Sequence, residues 1–183
     1  MEVTIMAIKV LVTFATRYGS THEVAEATGA VLHEKGLEVD IRPVQQVHTL
    51  DGYQAIVLGA PMYFGNWHKD ALTFLEEYHQ ALTQRPVAVF GLGPLHSDEK
   101  ERLDSGKQLS TKLANFPWFT PVAFEMFGGK YDPSALRFAD KIVTILPASP
   151  LKGLGASDVR DWEAIRSWAA ELPGKFQLAL QTP

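Results

Sequence analysis

The 183-residue chain contains no cysteine. Disulfides, thiolate metal sites and thiol catalysis are therefore excluded, and a reducing, cytoplasmic setting is expected. No apolar run approaches the roughly 20 residues that a membrane-spanning helix requires. The N-terminus carries Glu2 and lacks a basic segment followed by an apolar one, so no signal peptide is expected. Met6-Ala-Ile-Lys-Val10 also reads as a start, which makes residues 1–5 a short extension of the first strand. Charge of one sign is scarce too: 17 basic residues stand against 21 acidic ones, for a net charge of −4. A nucleic-acid surface is usually basic, so no such partner is expected. No G-x-x-x-x-G-K-S/T string occurs, which removes a P-loop, and no G-x-G-x-x-G follows the first strand. The six histidines are scattered without i, i+4 pairs, so no metal site is expected. Repeats, low-complexity segments and linkers are absent.

What is present is ordinary in amount and informative in order. Apolar residues make up 46% and charged residues 21%, as in a globular protein. The length suits one domain over residues 1–183, with 175–183 as a loose tail. Val10 to Phe14 is a short β-branched and aromatic run, hence a strand buried on both faces. A hydroxyl-rich loop follows, and Ser20-x-x-Glu23 reads as a capping box opening a helix from Thr21 to Lys35. Leu37–Arg42 alternates as a strand. Ala55–Gly59 is a central strand, and Pro61–His68 reads as a loop. Lys69–Leu82 has the spacing of an amphipathic helix with Ala71, Leu72, Leu75, Tyr78 and Leu82 inward.

A fourth strand spans Pro86–Gly93, and Ser97-Asp98 caps a polar helix to about Asn115. Pro121–Phe127 is the fifth strand. Helical spacing resumes over Leu136–Leu146. Ser157-Asp158 reads as the start of a last helix, broken at Pro173-Gly174. Its Trp162 and Trp168 recur with Ile165 at helical spacing, which makes them core residues. Strands alternating with helices predict βαβ units and a parallel sheet with right-handed crossovers. Five strands suit the order 2-1-3-4-5, where ligands bind beyond the carboxyl ends of the strands.

Three loops leave that edge. Thr16, Arg17, Tyr18, Gly19, Ser20 and Thr21 place hydroxyls and backbone N–H groups at a helix N-terminus, where the dipole favours an anion. This suits a phosphate held mainly by neutral donors, with Arg17 assisting. Pro61, Met62, Tyr63, Phe64, Gly65 and Trp67 put three aromatics and a methionine in one eight-residue stretch ending at His68. Flat side chains beside a phosphate site suggest stacking on a planar ring. Gly91, Leu92, Gly93, Pro94 and Leu95 supply a second wall, with N–H groups for ring oxygens and nitrogens. His68 and His96 lie on the two ring-side loops, so they are candidates to touch substrate or tune the ring. Glu76-Glu77 and Asp98-Glu99 read as solvated helix charge.

At these residues the chain resembles the flavodoxin-type FMN proteins over nearly its whole length. Thr16-Arg-Tyr-Gly-Ser-Thr21 is similar to their phosphate loop. Gly59-Ala-Pro-Met-Tyr63 through Trp67 resembles the loop that packs an aromatic on the isoalloxazine, and Phe90-Gly-Leu-Gly-Pro94 resembles the second flavin loop. Within that family the chain resembles most the menaquinone-dependent protoporphyrinogen IX dehydrogenases. Three segments carry this: Ala15–Thr21, Phe127-Gly-Gly-Lys-Tyr131, and Arg160-Asp-Trp-Glu-Ala-Ile-Arg-Ser-Trp168. The resemblance implies a flavodoxin-like three-layer α/β sandwich and an FMN-dependent oxidoreductase. It implies transfer of hydride or electrons from a reduced organic substrate to a quinone-type acceptor. No side-chain acid or base is needed by that scheme, so no catalytic residue is named.

Two departures bear on it. Electron-carrier flavodoxins are acidic around the flavin, whereas Arg17, His68, Lys69 and His96 stand here, against a pure carrier. The quinone-linked enzymes carry a basic, membrane-seeking insertion, whereas residues 130–156 hold Lys130, Arg137, Lys141 and Lys152 against Asp132 and Asp140. Peripheral membrane contact, a redox partner protein and homo-oligomer formation stay open. So do two other readings: a one-electron carrier, and a flavin-free module of the same fold.

Overall fold

The apolar run after Lys9 has no polar side to offer water, and the fold gives it none. The computed structural model describes residues 8–149 and 151–178. In it every residue from Val10 to Ala15 is buried, as the centre of a parallel sheet covered on both faces requires. The main elements follow in chain order: β1 (Lys9–Phe14), α1 (Ser20–Glu34), β2 (Glu38–Pro43), β3 (Ala55–Tyr63), β4 (Asn66–Trp67), α2 (Lys69–Glu77), α3 (His79–Leu82), β5 (Val87–Leu92), α4 (Glu99–Leu113), β6 (Ala123–Phe127), β7 (Lys130–Tyr131), α5 (Phe138–Ile145), β8 (Ser157–Asp158) and α6 (Trp162–Lys175).

The main sheet runs β2-β1-β3-β5-β6, all parallel, with β4 attached to β3 outside this path. Counting its five long strands alone gives 2-1-3-4-5, the order already known for flavodoxin-like sheets. Side chains of period two split the core between the faces. Leu11, Ile56, Leu58 and Val89 pack with Ala71, Phe74, Leu109 and Leu113 of α2 and α4. Val10, Val12, Val57 and Phe90 pack with Val24, Leu32, Ile165 and Leu172 of α1 and α6. Register places the ends of three strands side by side: Phe14 opposite Gly59, and Ala60 opposite Gly91. All three loops of interest therefore leave one edge.

Several expectations are corrected. The capping box is not formed: Gly19 caps α1 in a left-handed conformation (φ 88°), with no side-chain cap bond, because the Glu23 carboxylate is drawn to Arg160 instead. Pro61–His68 is not a loop throughout, since β3 continues to Tyr63 and turns back through Phe64 and Gly65 into β4. The 69–82 helix breaks at Tyr78, whose hydroxyl donates to Val47 O at 2.8 Å and whose ring lies 4.7 Å from Phe74. Ser157-Asp158 is a strand paired with β7, and α6 starts later, behind an Asp161 cap accepting from Ala164 N at 2.9 Å.

Pro173 does not break that helix, which runs on to Lys175. A proline costs about 3 kcal/mol inside a helix, but burying Leu172 and Phe176 returns about 1.5–3 kcal/mol each. Leu172 is 0% and Phe176 4% exposed. The tail is thus anchored at its start, while residues 179–183, like the extension at 1–5, lie outside the described residues.

Candidate functional site

The first loop begins where Ala15 N donates to Gly59 O at 2.9 Å, tying the end of β1 to β3. Thr16 Oγ1 then accepts from Gly19 N at 2.9 Å, curling the loop back on itself. Gly19 needs its positive φ to hand the chain to α1 at this angle, a conformation that disfavours a side chain. The N–H groups of Ser20, Thr21 and His22 form the first helical turn and have no helical carbonyl to reach. Beside them the Thr21 side chain is 0% exposed, and its Oγ1 has no hydrogen-bond partner. A buried hydroxyl without a partner costs about 1–3 kcal/mol; Thr28 Oγ1 carries the same cost, and what sets Thr21 apart is its place at the helix start, beside the N–H groups of the first turn.

The second loop is a hairpin, and pairing decides which aromatics it shows. Met62 pairs with Trp67, and Tyr63 with Asn66. Trp67 accordingly joins the core on the α2 and α4 face. It is 2% exposed, and its Nε1 donates to Ala60 O at 3.0 Å. The expected ring-covering role of Trp67 is therefore corrected to one of bracing the hairpin from beneath. Phe64, at the turn, is 63% exposed. Tyr63 is half-buried, and burial pushes its phenol up to about 12, so the O–H stays protonated. His68 Nδ1 accepts from Asp70 N at 3.2 Å, which fixes it as the cap of α2. Burial lowers its pKa below the ordinary histidine value, consistent with a neutral, accepting nitrogen.

In the third loop Gly91, Leu92 and Pro94 are buried. Gly91 and Leu92 belong to β5 itself, and a Cβ on Gly91 would stand 2.6 Å from Met126 Cε. The accessible part of this wall is Gly93 and Leu95. Gly93 lies against Met62, since a Cβ there would be 3.2 Å from Met62 Cβ, so the second and third loops touch. Pro94 O accepts from Gly129 N at 2.6 Å, and Leu95 N donates to Glu101 Oε1 at 3.2 Å. His96 is exposed and faces Glu101 at 3.1 Å.

Sequence reasoning did not pick out the residues that hold the first loop from outside. The Arg160 side chain is 2% exposed. Its Nη1 reaches Glu23 Oε2 at 2.7 Å and Ser20 O at 3.2 Å. Its Nε and Nη2 grip Asp158 at 2.8 and 2.6 Å, and this pairing holds the Asp158 carboxyl below its usual range. Lys130 approaches Glu23 at 3.5 Å. The antiparallel β7–β8 pair is thereby bolted to the start of α1. From the same excursion α5 returns to the loop's other side. Asp140 accepts from Arg17 Nη2 at 2.6 Å and from the Tyr18 hydroxyl, while Arg137 N donates to that hydroxyl at 3.4 Å. No spacing rule links residue 140 to 17, or 160 to 20.

Among the described residues no group of three or more histidines, aspartates or glutamates is placed to hold a metal ion, and no helix is long and apolar enough to cross a membrane.

A family model described as "Flavodoxin domain" matches residues 11–153. The chain belongs to the flavodoxin family. Protoporphyrinogen IX dehydrogenase (quinone) from Escherichia coli is 25% identical over 174 residues, covering 90% of this chain and 94% of that protein. A flavodoxin variant from Fusobacterium nucleatum bound to flavin mononucleotide shares the fold with a TM-score of 0.53 and 13% identity, over 94% of this chain and 97% of that one. Rubredoxin oxygen:oxidoreductase from Desulfovibrio gigas matches with a TM-score of 0.54 and 16% identity over 93% of this chain. This flavodoxin-family chain spans only 37% of that larger protein.

Proposed function

We propose that this chain is an FMN-dependent oxidoreductase. It passes hydride or electrons between a reduced organic substrate of protoporphyrinogen type and a quinone-type acceptor. The observation that carries the reading is the buried, unpartnered Thr21 Oγ1 beside the free N–H groups of the first turn of α1. A phosphate monoester satisfies both. The Thr16, Ser20 and Thr21 hydroxyls and the N–H groups of Arg17, Tyr18, Ser20 and Thr21 hold it, helped by the helix dipole, while the Gly19 N–H stays on Thr16 Oγ1. Tyr63 and Phe64 cover one face of the flat ring, and Gly93 to Leu95 flank its edge. Bound FMN supplies the redox chemistry, as one- or two-electron transfer.

The chain's own residues bind, orient and shield. Tyr63 keeps its proton because of burial, so it can donate a hydrogen bond but does not act as a base near neutral pH. His68 is committed to the α2 cap and is not free to shuttle protons. The substrate class is supported by the quinone-linked relative from Escherichia coli, which is aligned over 90% of this chain. The test is an anaerobic assay of the FMN-loaded protein with protoporphyrinogen IX and a quinone. Turnover that requires both supports the reading. FMN uptake without turnover, with two well-separated one-electron steps in a redox titration, replaces it with a one-electron carrier. Failure to take up FMN overturns it.

A further inference from the structure

Glu23 is the acidic residue in the first turn of α1. An acidic side chain suits an empty helix start, because the positive end of the dipole favours it. A bound phosphate uses that same positive end. An unmatched Glu23 carboxylate would therefore compete with the phosphate and repel it. The structure matches it twice. Glu23 Oε2 lies 2.7 Å from Arg160 Nη1, and Glu23 Oε1 lies 3.5 Å from Lys130 Nζ.

Arg160 is held on every side by the protein. Its side chain is 2% exposed, its Nε and Nη2 donate to Asp158, and its Cζ lies 4.6 Å from the centroid of the Trp162 ring. The Nη1 that meets Glu23 also donates to Ser20 O at 3.2 Å, at the opening of the same turn. This guanidinium is thus spent on protein partners. Asp158 and Trp162 aim it, and Glu23 is what it acts on.

We infer that Arg160, seconded by Lys130, is a positioning residue for the phosphate: it draws the Glu23 carboxylate aside and cancels its charge, leaving the first turn of α1 open to a dianion. The inference rests on the FMN reading above. A carboxylate several ångströms from a phosphate near a protein surface changes binding by about tenfold, and salt weakens the effect.

The test is a set of fluorescence titrations of the full chain with FMN and with riboflavin, which lacks the phosphate. The readout is the ratio of the two affinities, because a general loosening of the fold weakens both ligands. Glu23→Gln keeps the size and removes the charge, so it should widen the ratio in favour of FMN by about tenfold. Arg160→Met should narrow the ratio by a similar factor, and less so at high salt. Adding Glu23→Gln to Arg160→Met should bring the ratio back towards the natural value. Arg160→Lys, which keeps the charge, should preserve most of the ratio even where Tm falls. A brace acting through shape alone predicts otherwise: Glu23→Gln and Arg160→Met cut the same bond and would narrow the ratio together. If Arg160→Met does not fold, Glu23→Gln decides alone. A ratio that Glu23→Gln narrows or leaves unmoved, in a protein that still prefers FMN, overturns this inference and leaves the cofactor reading standing. Absence of FMN binding in the natural protein overturns both.

Discussion

Replacing Thr21 by valine separates two roles that most binding-site substitutions confuse. The side chain is 0% exposed, and its hydroxyl has no partner within the protein. Leaving such a group buried and unpaired costs about 1–3 kcal/mol. Valine keeps the shape and removes the hydroxyl. The flavin-free protein should therefore gain about 1 kcal/mol of stability, seen as a rise in Tm of roughly 2–4 °C for a chain of this size. FMN binding should move the other way. A hydrogen bond to a charged group contributes about 1.5–3 kcal/mol, so the Kd for FMN should rise roughly 10- to 100-fold. Thermal unfolding with and without FMN, together with fluorescence titration, reads both. Thr28 is the control: it lies two turns further along α1, is 0% exposed, and its Oγ1 is also unpartnered. Thr28→Val should raise Tm similarly and leave FMN affinity within about twofold. Unchanged FMN affinity in Thr21→Val, or equal losses in both variants, would refute the assigned cradle.

Three further outcomes follow from the packing. Arg160→Met unties Ser20 O, Glu23 and Asp158; because those carboxylates are 44% and 40% exposed and rehydrate, the loss should be about 1–3 kcal/mol in denaturant unfolding. The same variant should weaken FMN more than riboflavin, because the damage lies at the phosphate end. Gly59→Ala places a Cβ 2.0 Å from Phe90 Cζ in a packed interior, so stability should fall by about 2–3 kcal/mol in thermal unfolding. His68 has a pKa lowered by burial from 6.5, so the unfolded chain takes up a proton that the folded chain resists. Stability should therefore decline as pH falls through and below that value, and His68→Gln should flatten the slope of Tm against pH.

The sheet was readable from the sequence because parallel strands covered on both faces are nearly continuous apolar runs, as in Val10–Phe14 and Ala55–Gly59. The turn from Thr16 to Thr21 was readable as a strand-to-helix junction because hydroxyls, one glycine and a helix start fall together. Trp67 was misplaced because an aromatic in a presumed loop looks like a stacking group. Alternation along Met62-Tyr63 and Asn66-Trp67 carried the opposite signal once a hairpin was allowed, since it sends Trp67 to the core with Met62. Ser157-Asp158 looked like a helix cap, yet tertiary pairing with Lys130-Tyr131 made it a strand. Pro173 looked like a terminator, yet burial of its neighbours outweighed its penalty. The Asp140–Arg17 and Arg160–Glu23 links join residues far apart in sequence, and no local rule sees them.

Whether the loop from Thr16 to Thr21 recognises a phosphate decides the proposed FMN role. Parallel equilibrium titrations with FMN and riboflavin, which differ only by that group, measure it. One FMN should bind per chain, at least roughly a hundredfold more tightly than riboflavin, as two or more charge-assisted hydrogen bonds require. Equal affinities for the two, or no uptake of either after unfolding and refolding in their presence, would contradict it.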